Sequence, residues 1–213
     1  MFDSLLRDLG EDVVRGLEEQ TVARAVGGGK RASEISVDPP ERLIGHNRQE
    51  YVRSSFHEVM RKHGFHITPY SSNPGAPSVH FVAGDHCNFT HLSWRVGQPL
   101  TRRNRTLAAI CSETLPAGAW MADLFGELRA LQPPKPVIAW LAQWRRARSD
   151  DADLPLWSGF VRLRAQDERT IIIEGGGMSY GDALLRAQQI AAGAREVPAD
   201  QPLVRLRRHR HAA

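Results

Sequence analysis

Histidine is the residue type whose spacing in this sequence offers the most chemistry. Seven of the nine histidines lie between residues 46 and 91, at His46, His57, His63, His66, His80, His86 and His91. Imidazole changes its charge near neutral pH and also ligates transition metals, so a dense cluster suits acid–base catalysis or metal binding. A third interpretation is that histidine serves as a polar aromatic on a surface that stacks bases or contacts a protein.

Two of these interpretations name particular side chains. For catalysis, His66, His80 and His91 share one face of a predicted sheet, where two imidazoles with a pKa of about 6.5 exchange protons with RNA without a metal. Arg95 would bind the phosphate in that reaction. For zinc, two residues separate His63 from His66 and three separate Cys87 from His91, and both gaps are workable spacings for zinc ligands. The zinc set is His63, His66, Cys87 and His91. Structural zinc sites usually contain more thiolates, so the sequence predicts no cofactor and keeps zinc as an alternative.

Charge is distributed unevenly along the chain. The net charge is +4, and it divides into −4 for residues 1–41, +5 for 42–116, zero for 117–196 and +3 for 197–213. Of the 28 basic residues, 25 are arginines, whose planar forks bind phosphate through two hydrogen bonds at once. This pattern favours a nucleic-acid ligand, although a GC-rich genome produces the same arginine excess.

The arginines expected to contact phosphate fall into distinct groups. Arg95 lies on a predicted strand, and Arg102, Arg103 and Arg105 lie in the first turn of a predicted helix. Cations at that end oppose the helix dipole, so we expect an anion to hold them there. The remaining candidates are Arg145 and Arg146 beside Trp144, and Arg205, Arg207, Arg208 and Arg210 in the tail.

The first half of the chain predicts the elements that must position these residues. An amphipathic helix begins near Phe2, and Gly27, Gly28 and Gly29 are expected to end it before a linker that reaches residue 41. A second helix covers 47–62, and Gly64 ends it. Strands follow at 65–70, 78–83 and 89–96, and then a helix at 101–115. Alternation predicts that Leu92 and Trp94 pack under the second helix, while the histidines lie on the opposite, open face.

The second half is predicted with less regular patterns. Helices are expected at 119–131 and 179–192, and a hairpin at 157–164 and 169–174. Residues 137–148 are predicted as a helix, with a buried strand as the alternative. The chain thus reads as α+β, with an acidic N-terminal helix and linker (1–41), a basic helix, three-strand, helix unit with an antiparallel sheet (42–116), a mixed unit (117–196) and a basic tail (197–213).

The order of elements from residue 47 to 115 resembles the double-stranded-RNA-binding domain and the HicA-type mRNA interferases. The resemblance includes the Lys62-His63-Gly64-Phe65 junction and the strand that begins Ser78-Val79-His80-Phe81. It implies an RNA ligand, and in the interferase family a histidine on the second strand is catalytic. His80 occupies the matching position here.

Together these observations predict a non-enzymatic RNA- or DNA-binding subunit of a larger ribonucleoprotein or nucleoprotein assembly. The acidic N-terminal helix is expected to contact a protein partner. The alternatives are a metal-independent RNase that uses His80 and a protein-interaction module that binds no nucleic acid. No apolar run approaches the roughly 18 residues of a membrane span, and residues 1–4 lack the features of a signal peptide, so we expect a bacterial cytoplasmic protein without membrane contact.

Overall fold

The computed structural model describes residues 1–35, 41–71, 79–112, 135–146 and 153–193. The helix expected at 119–131 and the four tail arginines lie outside these ranges. The helices are α1 (Phe2–Leu9), α2 (Glu11–Ile35), α3 (Glu41–Lys62), α4 (Arg105–Cys111) and α5 (Tyr180–Ala191). The strands are β1 (Thr68–Tyr70), β2 (Val79–Ala83), β3 (Asn88–Arg95), β4 (Thr101–Arg103), β5 (Val137–Trp144), β6 (Trp157–Ala165) and β7 (Thr170–Ser179). Within the described ranges, no helix combines the length and the apolar character that crossing a membrane requires.

All seven strands form one sheet in the order β1-β2-β3-β5-β6-β7-β4. Neighbouring strands run antiparallel except β3 and β5, which are parallel. The predicted α+β class is confirmed. The parallel pair makes the sheet mixed and joins strands from both halves of the chain, because β3 belongs to the predicted basic unit and β5 to the mixed unit after it.

The N-terminal segment forms two helices instead of one. Gly10, with a φ of 79°, separates α1 from α2, since a left-handed residue cannot continue a helix. The prediction that Gly27, Gly28 and Gly29 end the helix is wrong, because α2 continues through them to Ile35. Both helices also contribute fully buried side chains to the core shared with α3 and α5, so they are packed elements of the fold and not a detached arm.

Helix α3 ends where the sequence predicted. Gly64 has a φ of 79°, and the Phe65 amide donates to the Met60 carbonyl in the bond pattern of a glycine-ended helix. The helix begins at Glu41, six residues before the predicted start at Asn47. That extra length places further polar side chains, including Arg42, near the ends of the central strands.

Two predicted helical segments are extended in the structure. Residues 137–144 form β5, the central strand, in which nearly every side chain is buried, so the helix prediction for this run is wrong. Thr101–Arg103 form β4, which pairs with β7. Asn104 then caps α4 by accepting a hydrogen bond from the Leu107 amide. Arg102 and Arg103 therefore do not lie in a helical first turn, and the dipole argument for an anion there does not apply.

Each face of the sheet packs in its own apolar cluster. The face that carries Phe89, Trp140 and Phe160 is covered by α1, α2, α3 and α5. The face that carries Leu92 and Trp94 packs against Leu107 of α4. The prediction that Leu92 and Trp94 lie on the opposite face from the histidines is correct. The prediction that the histidine face is open is wrong, because α3 covers it. Helix α3 covers the histidine face because that face carries the larger aromatic area, and burying this area releases more water.

Candidate functional site

A basic cavity of about 680 Å³ lies where β3 and β5 end. Its charged lining consists of six arginines and a single glutamate: Arg42, Arg48, Arg95, Arg102, Arg103, Arg145 and Glu41. Trp94 and Trp144, both almost fully buried, contribute to its wall. We call this feature the arginine cavity.

The parallel pairing of β3 and β5 brings these residues together. Arg95 and Trp144 are register partners at the ends of the two strands, and Arg145 follows directly. Strand β4 contributes Arg102 and Arg103 from the sheet's far edge, so the curled sheet returns to the point where β3 ends. The first turns of α3 close the remaining side.

Buried Arg48 forms the rigid part of the cavity wall. Its guanidinium lies 5.3 Å from the ring centre of Trp144, within cation–π range. It also donates to the Arg145 carbonyl at 3.2 Å and lies 3.8 Å from an Asp153 carboxylate oxygen. These contacts fix Arg48 in the fold, so the more exposed arginines are the ones available to a ligand.

Positive charge in the arginine cavity is only partly compensated. Glu41 accepts from Arg95 at 3.0 Å and from Arg146, just outside the lining, at 3.2 Å. Across the described ranges, no carboxylate lies within ion-pair distance of Arg42, Arg102 or Arg145. Burial lowers the pKa of Arg102, because a charged guanidinium loses hydration there. An anionic ligand would restore favourable interactions to these groups.

The structure assembles most of the described arginines predicted to bind phosphate. The cavity is lined by Arg95, Arg102, Arg103 and Arg145. Arg146 lies just outside the lining and donates a hydrogen bond to Glu41, which belongs to it. Arg105 is exposed at the start of α4 and does not line the cavity. Sequence reasoning missed Arg42 because the predicted α3 began at Asn47, and missed Arg48 because nothing in the sequence placed α3 at this end of the sheet.

Three histidines converge nearer the middle of β3. His57 of α3, His80 of β2 and His91 of β3 are half-buried, and their candidate ligand nitrogens all lie within 4.8 Å of one another. The rings of His57 and His80 meet nearly at right angles, with centroids 4.6 Å apart. In the part of the chain that the structure describes, this is the one group of three or more His, Cys, Asp or Glu residues close enough to share a metal.

Strand register and core packing place this histidine cluster. Phe81 is opposite Thr90 in the β2–β3 ladder, so one further step along each strand puts His80 opposite His91. The ring of Phe56 lies 5.1 Å from that of His91, which brings the next residue of α3, His57, over the pair. The sequence included His57 among the seven clustered histidines but did not predict that it joins His80 and His91, because that depends on α3 covering this face.

The imidazoles of the histidine cluster favour their neutral form. Burial, with a smaller contribution from His80, lowers the pKa of His57 to about 4. Burial and the other two histidines lower the pKa of His91 to about 3, and burial and Arg53 also lower that of His80. Lowered pKa values oppose the protonated imidazolium that a general acid requires.

The predicted catalytic set is only half assembled. His80 and His91 are close, but His66 is exposed, precedes β1 and does not belong to the cluster. Arg95 is four residues beyond His91 on the same strand, about 13 Å away at the rise of an extended chain. It lies in the arginine cavity with Glu41, too far to share one phosphate with His91.

The predicted zinc set does not come together. His63, His66, Cys87 and His91 do not form a group of close ligand atoms. The Cys87 thiol instead faces Asp8, with Sγ 3.8 Å from the carboxylate. Burial and the Asp8 charge raise the pKa of this thiol to about 12, so it stays protonated, which opposes metal ligation.

The histidine cluster and the arginine cavity are therefore the two features of the described chain with ligand-binding chemistry, and both are built on α3 and β3. The resemblance to RNA-binding folds stays a prediction, since β4 interrupts the expected order of helix, three strands and helix. No family model, curated protein or solved structure matches this chain.

Proposed function

We propose that this protein binds nucleic acid through the arginine cavity. The observation that carries the proposal is the convergence of Arg95, Arg102, Arg103 and Arg145, from three different strand ends, on one concave site. Like charges repel, so folding that brings them together costs free energy unless an anion offsets it. Phosphate is an anion whose geometry matches two donors of an arginine fork at once.

A polymer of phosphates suits the site better than a single phosphate does. The cavity is open to solvent, and further cations lie outside it, at Arg146 beside Glu41 and at Arg105 on α4. A strand that crosses the cavity would present successive phosphates to both groups. Trp94 and Trp144 are too buried to stack on bases, so we expect recognition of the backbone and little sequence preference.

The finer parts of the proposal concern the assembly. We keep the interpretation that the protein is a cytoplasmic subunit of a ribonucleoprotein or nucleoprotein complex, with a protein partner on the acidic N-terminal helices. The apolar stripe of α1 and α2 is buried within this chain. A partner would therefore contact the outward residues, which include several carboxylates, and its own binding surface would be basic.

The test is a binding titration of fluorescent single- and double-stranded RNA and DNA across a salt series. Phosphate contacts predict that the logarithm of affinity falls linearly with the logarithm of salt concentration. The double variant R103Q/R145Q removes two exposed cations. Counterion release predicts about 15- to 30-fold weaker binding near 0.15 M salt and a slope reduced by about two.

A matched control keeps the net charge of that variant. R162Q/R164Q also removes two arginines, but these lie on β6, where both pair with Glu174 outside the cavity. We expect it to bind as the wild type does. Equal weakening by both variants, or binding that does not respond to salt, would overturn the proposal in favour of a protein-interaction module. Mononucleotide binding as tight as oligonucleotide binding would instead indicate a small-molecule site.

A further inference from the structure

The histidine cluster lies outside the arginine cavity and is not used by the proposed function. Its members come from three separate elements, α3, β2 and β3. His80 pairs with Pro69 of β1 and His91 with Trp140 of β5, one step beyond the last β2–β3 pair, Phe81 and Thr90. Backbone pairing and the Phe56 core contact hold these positions, so the arrangement does not depend on a flexible loop. Ligands on rigid elements are the basis of a preorganised metal site.

The spacing of the ring nitrogens is close to that of a metal centre. Zinc–nitrogen bonds of about 2.0–2.1 Å at tetrahedral angles place ligating nitrogens about 3.3 Å apart. The widest separation here is 4.8 Å. Rotations of about 20° around the side-chain torsions move a ring nitrogen by about 1 Å, which closes most of the difference within the same rotamers.

An unsatisfied polar atom points independently to a missing ligand. The Nε2 atom of His57 is buried and has no hydrogen-bond partner. Within the described ranges the rings of His57, His80 and His91 form no hydrogen bond, and a buried polar atom such as His57 Nε2 is nearly always satisfied. A metal ion would bind lone pairs that the protein leaves unused, and neutral imidazole is the form that ligates.

Charges around the cluster are largely compensated. Arg53, whose charge disfavours protonation of all three histidines, forms an ion pair with Glu50 at 3.3 Å. Arg24 likewise pairs with Glu58. These four residues and Arg61 lie around or beside a surface depression of about 400 Å³ that also includes His57. A small anion or water can therefore reach the cluster from solvent.

We propose that His57, His80 and His91 form a binding site for one zinc-class divalent metal ion. Three imidazoles leave one tetrahedral position open, as in catalytic rather than structural zinc sites. A water or a small anion from the depression beside His57 would occupy that position. Imidazole also suits copper and nickel, so selectivity rests on the tetrahedral geometry.

The test uses tag-free, full-length protein stripped with a chelator and then dialysed. Cobalt replaces zinc in such sites and gives visible absorption whose intensity reports a four-coordinate geometry. We expect one equivalent of Co²⁺ to bind, and Zn²⁺ to displace it with loss of the colour. No nucleic acid is present in this test, so a negative result would contradict the metal site and not the nucleic-acid proposal. A negative nucleic-acid titration would likewise not contradict the metal site.

Variants separate this site from other histidines. H57A and H80A should each lower cobalt affinity by more than about 100-fold, since three ligands become two. H63A, H66A and the tail variant H209A/H211A should bind like the wild type. H91A serves only if circular dichroism shows that it folds; His57 also lines the surface depression, so H57A keeps the test decisive once the same spectrum shows that it folds. Full binding by H57A and H80A, equal loss in H66A or the tail variant, or no metal bound by the wild type would each overturn the site.

Discussion

The histidine cluster and the arginine cavity lie on the same strand and the same helix, about 13 Å apart, yet their electrostatics are opposite. In the cluster, α3 lies over the middle of β3, and burial lowers the pKa of all three imidazoles, which favours their neutral form. In the cavity, the strands end and solvent enters, so Arg103 and Arg145 remain exposed and charged. Position along one pair of elements therefore separates the proposed cation site from the proposed anion site.

This difference has a physical origin in the residue types. A guanidinium cannot lose its proton at neutral pH, so arginines that meet in space need water or an anion. An imidazole can become neutral, so histidines tolerate a half-buried position and offer lone pairs there. The two regions should consequently respond to different perturbations. Three experiments test how far they are independent, and a fourth concerns a charged pair elsewhere in the fold.

The largest effect should come from breaking what both regions share. F56A removes the ring that packs 5.4 Å from Phe89 and 5.1 Å from His91 under α3. Truncation of a fully buried phenylalanine costs about 3–5 kcal/mol of unfolding free energy. Urea denaturation should show this loss, and both ligand affinities should fall with it. V26A, at a position that is 52 % exposed, should change stability by less than about 0.5 kcal/mol.

The next effect should be confined to one region. H57A should reduce Co²⁺ affinity by more than about 100-fold and change oligonucleotide affinity by less than about twofold, because His57 does not line the arginine cavity. R103Q/R145Q should weaken oligonucleotide binding by about 15- to 30-fold and change Co²⁺ affinity by less than about twofold. Both ligands are titrated into both variants at one salt concentration. If either variant weakens both ligands while its stability is unchanged, the two regions form one site.

A smaller effect of opposite sign should follow from neutralising the cavity's glutamate. E41Q frees Arg95 and Arg146, so oligonucleotide affinity should rise by about four- to fivefold, the counterion-release value for one phosphate. E174Q is the matched control, because Glu174 also pairs with two arginines, Arg162 and Arg164, outside the cavity. A gain in E174Q as large as that in E41Q would assign the effect to net charge alone.

The smallest effect concerns a charged pair away from both regions. Arg186 donates to both carboxylate oxygens of Asp3 at 2.6 and 2.7 Å, which holds the pKa of Asp3 below its ordinary 3.8. The folded state therefore releases the proton more readily than the unfolded chain does. This stabilisation is full above the ordinary pKa and is lost as pH falls through the lowered value.

Comparison of D3N with wild type isolates that contribution. We expect D3N to cost about 0.5–1 kcal/mol at pH 7, and the cost should shrink as pH falls through the lowered pKa of Asp3, as measured by urea denaturation. D182N offers a control, since Asp182 is exposed and bonds locally to Ser179. A pH-independent difference between D3N and wild type would show that Asp3 contributes through packing rather than charge.

Local signals in the sequence were enough for some elements. Gly64 predicted the end of α3, because an αL glycine satisfies the last helical carbonyls. Alternation in residues 89–96 predicted a strand, which the structure has at Asn88–Arg95, and the separation of Leu92 and Trp94 from His91. In contrast, β5 and β4 could not be derived. The β5 run is apolar except for Gln143, so it has no period to distinguish strand from helix, and β4 exists only because β7 offers an edge to pair with.

The candidate sites, like the elements of the fold, were determined partly by the sequence and partly by tertiary contacts. Composition determined that arginines would dominate the charge and that histidines would cluster in sequence, and alternation placed His80 and His91 on one face. Which helix covers that face, which third histidine completes the group and which arginines meet at the strand ends depended on contacts between residues far apart in the chain. Burial of Phe56, Phe89 and Phe160 in one core decided those contacts, because apolar area acts over the whole fold whereas periodicity acts over a few residues.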